Sequence, residues 1–160
     1  MGGFGSGRRY SSKGTTSEYR RIDVRRWQRD GLLESRAAFR WQWSHNGEVV
    51  AWISVRAQDS GVNLTYRHRS HSHDWKNEDY LVLLEWTPCN FGGERAWFIC
   101  PARGCARRVA ILYGGSIFAC RHCYQLAYDS QNESAHSRAL GRTQAIRMKL
   151  GGSSNAKACQ

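Results

Sequence analysis

Four cysteines in the second half of the chain have the types and spacing that could do chemistry. Cys100 and Cys105 form a C-x4-C pair, and Cys120 and Cys123 form a C-x2-C pair after fourteen intervening residues. Thiolates in two short-spaced pairs are the ligands of a tetrahedral structural zinc site. The spacing therefore predicts one structural Zn2+ bound by all four sulfurs. Buried thiols or disulfides are the alternatives that the spacing leaves open.

The segment between the two cysteine pairs has the length of a β-hairpin. Gly114 and Gly115 lie near its middle, where they favour a tight turn. Such a hairpin would bring the second cysteine pair back to the first, which is the layout of a zinc ribbon. We expect the ribbon to span residues 98–128.

The ligand set disfavours a catalytic role for this metal. Four thiolates close the coordination shell, whereas a catalytic zinc keeps one position open for water. His122 lies inside the second pair and could replace one thiolate, but the shell would still be closed. The chain shows no carboxylate pair, nucleophile elbow or phosphate-binding glycine loop. We expect a protein that is not an enzyme, with no evident small-molecule substrate.

The charge of the chain is unevenly distributed. The 160 residues carry a formal net charge of +11. Residues 1–30 hold 8 Lys and Arg against 3 Asp and Glu, and residues 91–160 hold 10 against 3. Basic ends around a nearly neutral middle predict binding to nucleic acid, with DNA as the expected target and regulation as an expected role. An acidic protein partner, met by an adapter or inhibitor, is the alternative, and simple solubility is a third explanation.

The basic ends contain the arginines that we expect to contact phosphate groups. A helix near the N-terminus would place Arg21 and Arg25 on one face, although a solvated helix face would look the same. The ribbon adds arginines interleaved with aromatic residues, a combination that suits phosphate contact and base stacking. The predicted set is Arg8, Arg9, Arg21, Arg25, Arg107, Arg108, Arg121, Arg138 and Arg142.

The first thirty residues predict an arm followed by a helix. Residues 1–16 are rich in glycine, serine and basic side chains, which is typical of a flexible basic arm. A helix is predicted over residues 17–30, with Thr16 or Ser17 as its N-cap and Gly31 just after its end.

Residues 38–88 change to an apolar period of two, which predicts a meander of four antiparallel strands. Asn46 and Gly47 favour a two-residue type I′ turn between the first two strands. That turn would place Trp41 opposite Trp52 and leave the second strand apolar on both faces. Either both faces of the sheet are covered, or a β-bulge shifts the register.

The strands and the ribbon follow each other closely, so residues 17–97 and the ribbon are expected to share a core. Trp86, Trp97 and Phe98 are the side chains expected at this junction. Residues 129–160 predict a basic C-terminal helix and tail, with the helix ending at Leu150. The predicted fold class is therefore mainly β (α+β), with a four-stranded antiparallel meander, a four-cysteine zinc ribbon and a helix near each end.

No apolar run approaches the roughly 20 residues that a membrane span needs. The first residues also lack the apolar centre of a signal peptide. These features predict a cytoplasmic protein without a membrane partner, and a reducing compartment favours metal ligation over disulfides.

Three stretches together resemble a group of small bacterial zinc-ribbon proteins of uncharacterised activity. They are "MGGFGSGRR", "DVRRWQRDGLL" and "LEWTPCNFGGERAWFICPARGCARRVAILYGGSIFACRHCYQLAYDSQ", which cover much of the chain. The resemblance implies the same four metal ligands and implies no substrate. A broader similarity to the zinc ribbons of transcription factors and transposases covers residues 98–123 only.

Overall fold

The computed structural model describes residues 13–69, 74–132 and 135–150, and it is mainly β with antiparallel sheets, as predicted. The strands in these residues are β1 (Arg21–Asp23), β2 (Ala38–His45), β3 (Glu48–Gln58), β4 (Gly61–Arg69), β5 (Trp75–Pro88), β6 (Glu94–Ile99), β7 (Arg108–Val109), β8 (Ile111–Gly114) and β9 (Phe118–Ala119). The helices are α1 (Val24–Arg29), α2 (Asp129–Asn132) and α3 (Ala135–Lys149).

The larger sheet has six strands in the order β2-β3-β4-β5-β6-β7, all antiparallel to their neighbours. The prediction of four strands is corrected, because β6 and β7 extend the sheet. β5 is 14 residues long; its first part pairs with β4 and its last part pairs with β6. Because β5 extends beyond its pairing with β4, its last residues have backbone N–H and C=O groups that need another hydrogen-bond partner, and β6 provides it.

A β-bulge decides which face of β3 is buried. Trp43 pairs with Ala51 and Ser44 pairs with Val49, so the register shifts at this point. Trp41 therefore lies opposite Ile53, and its predicted pairing with Trp52 is wrong. The alternative of a bulge is confirmed, since the one-residue shift puts Trp41 on the same face as the buried Ile53 and leaves Trp52 on the other face.

The turn between β2 and β3 has the predicted chemistry. Asn46 has φ 51° and Gly47 has φ 85°, so both central residues occupy the left-handed region. A type I′ turn requires that conformation, and asparagine and glycine reach it at low cost.

The N-terminal helix is shorter than predicted. It begins at Val24 instead of residue 17, and its N-cap is Asp23, whose Oδ1 accepts the Arg25 N–H at 3.0 Å. The preceding residues form β1 because Ile22, which is fully buried, pairs opposite Leu112 of β8. Tertiary pairing therefore outweighs the helix signals of this segment.

This correction also separates the arginines of the predicted helix face. Arg21 lies on β1, whereas Arg25 and Arg29 lie on α1. Arg21 and Arg25 therefore do not share a helix face. The helix nevertheless ends as predicted, because Gly31 follows it with φ 69°.

Trp27 of α1 lies at the centre of the core and covers one face of the larger sheet. Its ring meets Phe39, Trp41 and Phe98 edge to face, with centroid distances of 5.3, 5.7 and 5.5 Å. Aromatic pairs favour this geometry, because the positive ring edge meets the negative ring face. Strands from both ends of the sheet therefore share one core.

The junction between β5 and β6 belongs to the same core. Phe98 is fully buried there, Trp97 is half-buried and Trp86 is 39% exposed. Gln28 ties α1 to β6, since its Nε2 donates to the Glu94 carbonyl at 2.6 Å and its Oε1 accepts the Ala96 N–H at 3.0 Å.

The smaller sheet has the order β1-β8-β9 and connects the N-terminal segment to the cysteine region. Before β1, the chain also pairs with a residue just after Cys123: Thr16 N–H donates to the Ala127 carbonyl, and Ala127 N–H donates to the Gly14 carbonyl, both at 3.0 Å. Residues 14–16 are thus held in place, which corrects the arm predicted over 1–16. Residues 1–12 lie outside the described residues.

The C-terminal segment contains α2 and α3. Four residues at helical spacing, Ala139, Thr143, Ile146 and Leu150, are all exposed, with Ile146 at 59% and Leu150 at 82%. In the described part of the chain, no helix has the length and apolar character needed to cross a membrane.

Candidate metal centre and surrounding arginines

The first cysteine pair lies in the loop between β6 and β7. Cys100 donates its backbone N–H to the Arg107 carbonyl at 2.9 Å, and Cys105 donates to the Ala102 carbonyl at 2.9 Å. Gly104 has φ 73° and Ala106 has φ 47°, so the chain turns sharply on both sides of Cys105. These backbone bonds turn both thiols of the C-x4-C pair toward one point.

The second pair follows the β8–β9 hairpin, as the intervening length predicted. Gly115 donates its N–H to the Ile117 carbonyl at 3.1 Å and closes the turn. A Cβ atom at Gly115 would collide with the ring of Tyr124, so only glycine fits there. After β9, Cys123 donates its N–H to the Cys120 carbonyl at 3.0 Å, which forms the tight turn of the C-x2-C pair.

The four sulfur atoms lie within 4.8 Å of one another. Cys100–Cys123, Cys105–Cys120 and Cys120–Cys123 are separated by 3.8, 3.7 and 3.6 Å between Sγ atoms. A tetrahedron with metal–sulfur bonds of about 2.3 Å has edges of about 3.8 Å. The cluster therefore has the dimensions of a four-thiolate metal site.

All four cysteines of the cluster are free, so it contains no disulfide. A disulfide needs sulfur atoms about 2.05 Å apart, and the shortest of the three separations is 3.6 Å. His122, the possible substitute ligand, is exposed. Among the described residues, the side chains that cluster closely enough to bind a metal are those of the four cysteines. The four predicted ligands are thus brought together by the fold.

The surroundings of the cluster shift the pKa values of its thiols in opposite directions. Hydrogen bonding from the backbone N–H of Arg107 lowers the pKa of Cys105 to about 7. Burial raises the pKa of Cys100, although its Sγ accepts the Cys120 N–H at 3.2 Å. A bound divalent cation favours the thiolate form of every ligand, so metal binding would release protons.

Two of the predicted phosphate-binding arginines are paired with acidic side chains. Arg25 makes a two-point contact with Asp23, at 2.9 Å from Nε and 2.6 Å from Nη2. Arg108 reaches Glu85 at 2.6 Å. Both guanidinium groups already have an anionic partner, a relation that the sequence did not indicate.

Arg21 and Arg121 both lie near Tyr113, which pairs with Arg21 across the smaller sheet. Burial raises the pKa of Tyr113, while the charges of both arginines act on the same phenol in the opposite direction. Arg121 also donates to the Leu126 carbonyl at 3.1 Å, and its guanidinium lies 4.5 Å from the centre of the Tyr128 ring.

The remaining arginines of the predicted set have no common location in the described structure. Arg107 is exposed in the loop before β7, and Arg142 is exposed on α3. Arg8 and Arg9 lie outside the described residues, as does the side chain of Arg138.

One group of residues was not predicted from the sequence. Arginines stack on tryptophans along the larger sheet, for example Arg40 on Trp52 and Arg95 on Trp97, each 4.3 Å from the ring centre. In the sequence, arginine and tryptophan recur at strand spacing. Because the bulge changes the register, the sequence alone does not show which of them share a face.

Comparison of the chain with models of known protein families, with curated proteins and with solved structures gives no match. The resemblance to bacterial zinc-ribbon proteins therefore stays a prediction. The function is therefore inferred from the residues and their geometry.

Proposed function

We propose that the protein is a non-catalytic nucleic-acid-binding protein built around one structural zinc ion. The four-cysteine cluster supports the metal, since its sulfur separations fit a tetrahedral site. Four thiolates are the set that structural zinc uses, and they leave no position for water or substrate. The ion supplies folding free energy to the cysteine loops. The chain's own residues supply the binding surface.

One observation carries the proposed ligand: the chain has no Asp or Glu from Arg95 to Tyr128, a segment with five arginines. A zinc ion with four thiolates carries two negative charges, which offset two of the five positive charges. Arg108 is paired with Glu85, so two positive charges are left over in the segment, and the whole chain carries +11. An uncompensated basic segment that also contains aromatic rings is suited to a phosphate backbone.

The proposed function is tested by fluorescence anisotropy on the full chain with zinc bound. Labelled single-stranded and duplex oligonucleotides, of DNA and of RNA, are titrated between about 50 and 300 mM salt. We expect binding at low salt and a log–log salt slope of several units, because each neutralised phosphate contributes about 0.9 in duplex DNA and 0.7 in single strands.

An acidic protein partner is the competing outcome of this test. If no oligonucleotide binds at the lowest salt, or if binding does not depend on salt, the nucleic-acid proposal is wrong. Capture of one acidic protein with an affinity that changes little with salt would then support the adapter function.

A further inference from the structure

The face of the larger sheet opposite Trp27 carries tryptophans with arginines stacked on them. We define this open face by Arg40, Trp52, Arg67, Trp75, Arg95 and Trp97, whose side chains lie on that side of strands β2 to β6. Four of these side chains are exposed, and those of Arg95 and Trp97 are half-buried.

Each of the three tryptophans of the open face has a guanidinium group over its ring. Arg40 lies 4.3 Å from the centre of Trp52, and Arg67 lies 5.3 Å from the centre of Trp75. Trp97 is contacted by Arg95 at 4.3 Å. Its Nε1 also donates to Thr87 Oγ1 at 2.9 Å, which fixes the ring on the sheet. The stacking holds both the rings and the positive charges in place.

Much of this aromatic surface is nevertheless open to solvent. Trp52 is 49% exposed and Trp75 is 59% exposed, although an arginine covers part of each ring. On the opposite face, Trp41 and Trp43 are partly buried and Trp27 is fully buried. Tryptophan exposed in this way, together with other exposed apolar side chains such as Leu83, marks a surface that contacts another molecule.

A polar groove runs across the open face beside Trp52. Its volume is about 580 Å³, and its lining includes Arg40, Arg56, Asn63, Thr65 and Asp79. Asn63 Nδ2 donates to Asp79 Oδ1 at 2.5 Å on the groove floor. Hydrogen-bond donors and acceptors therefore lie next to a stacking ring, as the recognition of an unpaired base requires.

The charge of the open face selects among possible occupants. On this face, the strands carry two carboxylates, Asp79 and Glu85, and six arginines: Arg40, Arg56, Arg67, Arg69, Arg95 and Arg108. A second copy of the chain, related by a twofold axis, would bring two positive faces together, which like-charge repulsion disfavours. A polyanion with flat apolar groups matches both the charge and the rings.

We propose that the open face binds single-stranded nucleic acid, with bases stacked on Trp52 and Trp75 and phosphates held by the neighbouring arginines. This inference rests on the proposed function and assigns it to a new surface. A duplex hides its base faces in its own stack, so exposed rings favour unpaired bases. Trp97 pairs with Glu85, which lies ten residues along β5 from Trp75. At about 3.3 Å per residue, the open face between Trp75 and Trp97 is about 33 Å long.

The test uses the zinc-bound full chain and labelled 12-nucleotide oligo-dT, oligo-U and a 12-base-pair duplex. The variant Trp52→Leu with Trp75→Leu removes two rings but keeps apolar side chains. Trp52→Phe with Trp75→Phe is the conservative rescue. Trp86→Leu is the matched control, because Trp86 is 39% exposed and lies on the opposite face. Zinc content and circular dichroism verify that each variant is folded.

We expect the double leucine variant to bind single strands about 25-fold more weakly or worse, since loss of one stacked ring costs about 5- to 150-fold. The phenylalanine variant should recover most of the affinity, and Trp86→Leu should bind like wild type. The salt slope should stay unchanged, because all arginines are retained. Comparing the affinities for oligo-dT and oligo-U shows whether DNA or RNA is preferred.

A second measurement does not depend on the variants. Photocrosslinking of wild type to an oligonucleotide containing 5-iodouracil should label peptides that contain Trp52 or Trp75. Labelling confined to α3 or the cysteine loops would overturn the inference.

The possible failures are distinguishable. If wild type binds single strands and the double leucine variant binds equally well, the open face is not the site, while the proposed function stands. If wild type binds no nucleic acid, both fail. If poly-glutamate displaces the oligonucleotide at equal charge concentration, the face recognises acidic chains and the assignment to nucleic acid is wrong.

Discussion

The four cysteine sulfurs meet at one point, but their surroundings differ. Cys120 is fully buried and Cys100 nearly so, whereas Cys123 is exposed. When a buried cysteine is replaced, no water can take over the contact that its sulfur would make with the metal. The substitution therefore disturbs both the metal site and the core. Cys89 is exposed and outside the cluster, which makes it a natural control.

We predict that Cys120→Ser loses the metal and that Cys89→Ser keeps it. Zinc measured by mass spectrometry should fall from one ion per chain to a small fraction in Cys120→Ser. Thermal unfolding should shift down by about 10 °C, as a loss of roughly 3 to 4 kcal/mol produces in a chain of this size. Full zinc content in Cys120→Ser would show that this sulfur is not a ligand.

Two buried phenols make a prediction for alkaline pH. Tyr66 Oη and Tyr80 Oη are 3.0 Å apart, and Tyr80 Oη accepts the Phe118 N–H at 2.7 Å. Burial raises the pKa of Tyr80 to about 12, and burial raises the pKa of Tyr66 further. The unfolded chain loses these protons near pH 10, while the folded chain keeps them.

The free energy of unfolding should therefore fall as pH rises from about 10 to 12, by roughly 3 kcal/mol from Tyr80 alone. Below pH 10 neither state is ionised at these groups, so they add no pH dependence there. Urea unfolding at pH 9 to 11.5 measures the slope. Tyr80→Phe should lower stability at pH 8 yet flatten this decline, and an unchanged decline would contradict the assignment.

Gln28 acts at the level of elements, because it joins α1 to the edge of β6. Its side-chain amide bonds one backbone carbonyl and one backbone N–H of that strand, as a neighbouring strand would. The adjacent strand β7 has only two residues and does not extend this far. A single side chain thus completes the sheet edge and positions the helix that carries Trp27.

Replacing Gln28 by leucine should lower the free energy of unfolding by about 2 kcal/mol. The change keeps the size of the side chain but leaves the Ala96 N–H and the Glu94 carbonyl without this partner, and an unpaired buried group costs about 1–3 kcal/mol. Gln58→Leu, on an exposed position of β3, should change stability by no more than about 0.5 kcal/mol. Chemical denaturation of both variants compares them, and equal stability would remove the role given to Gln28.

For the whole molecule, net charge matters less than which charges are already paired. Arg25 and Arg108 have carboxylate partners, whereas Arg56 and Arg67 on the open face are exposed and form no ion pair within the described structure. An arginine bound to a carboxylate gains less from a phosphate, because it must first give up its partner.

If nucleic acid binds to the open face as proposed, Arg56→Ala with Arg67→Ala should lower the log–log salt slope by roughly two units. Arg25→Ala should lower it by less than about one. Anisotropy titrations on two unrelated sequences should show the same loss, since phosphate contacts carry no base information. Zinc content should stay at one ion per chain; an unchanged slope in the double variant would remove these two residues from the interface.

Local spacing alone predicted the metal ligands and the turns. The two cysteine pairs and Gly115 act over a few residues, where backbone geometry determines what can meet. The Asn46-Gly47 turn has the predicted positive φ values for the same reason. Alternation of apolar residues likewise predicted a mainly β chain, because a strand has a side-chain period of two.

Tertiary structure alone decided the rest. The helix signals around residues 17–23 lost to strand pairing because Ile22 gains a buried position opposite Leu112. The bulge beside Trp43 assigned Trp52 to the open face, and a shift of one residue reverses every side chain beyond it. The pairing of Arg108 with Glu85 joins residues 23 apart in sequence, a proximity that arises only once β5, β6 and β7 lie side by side.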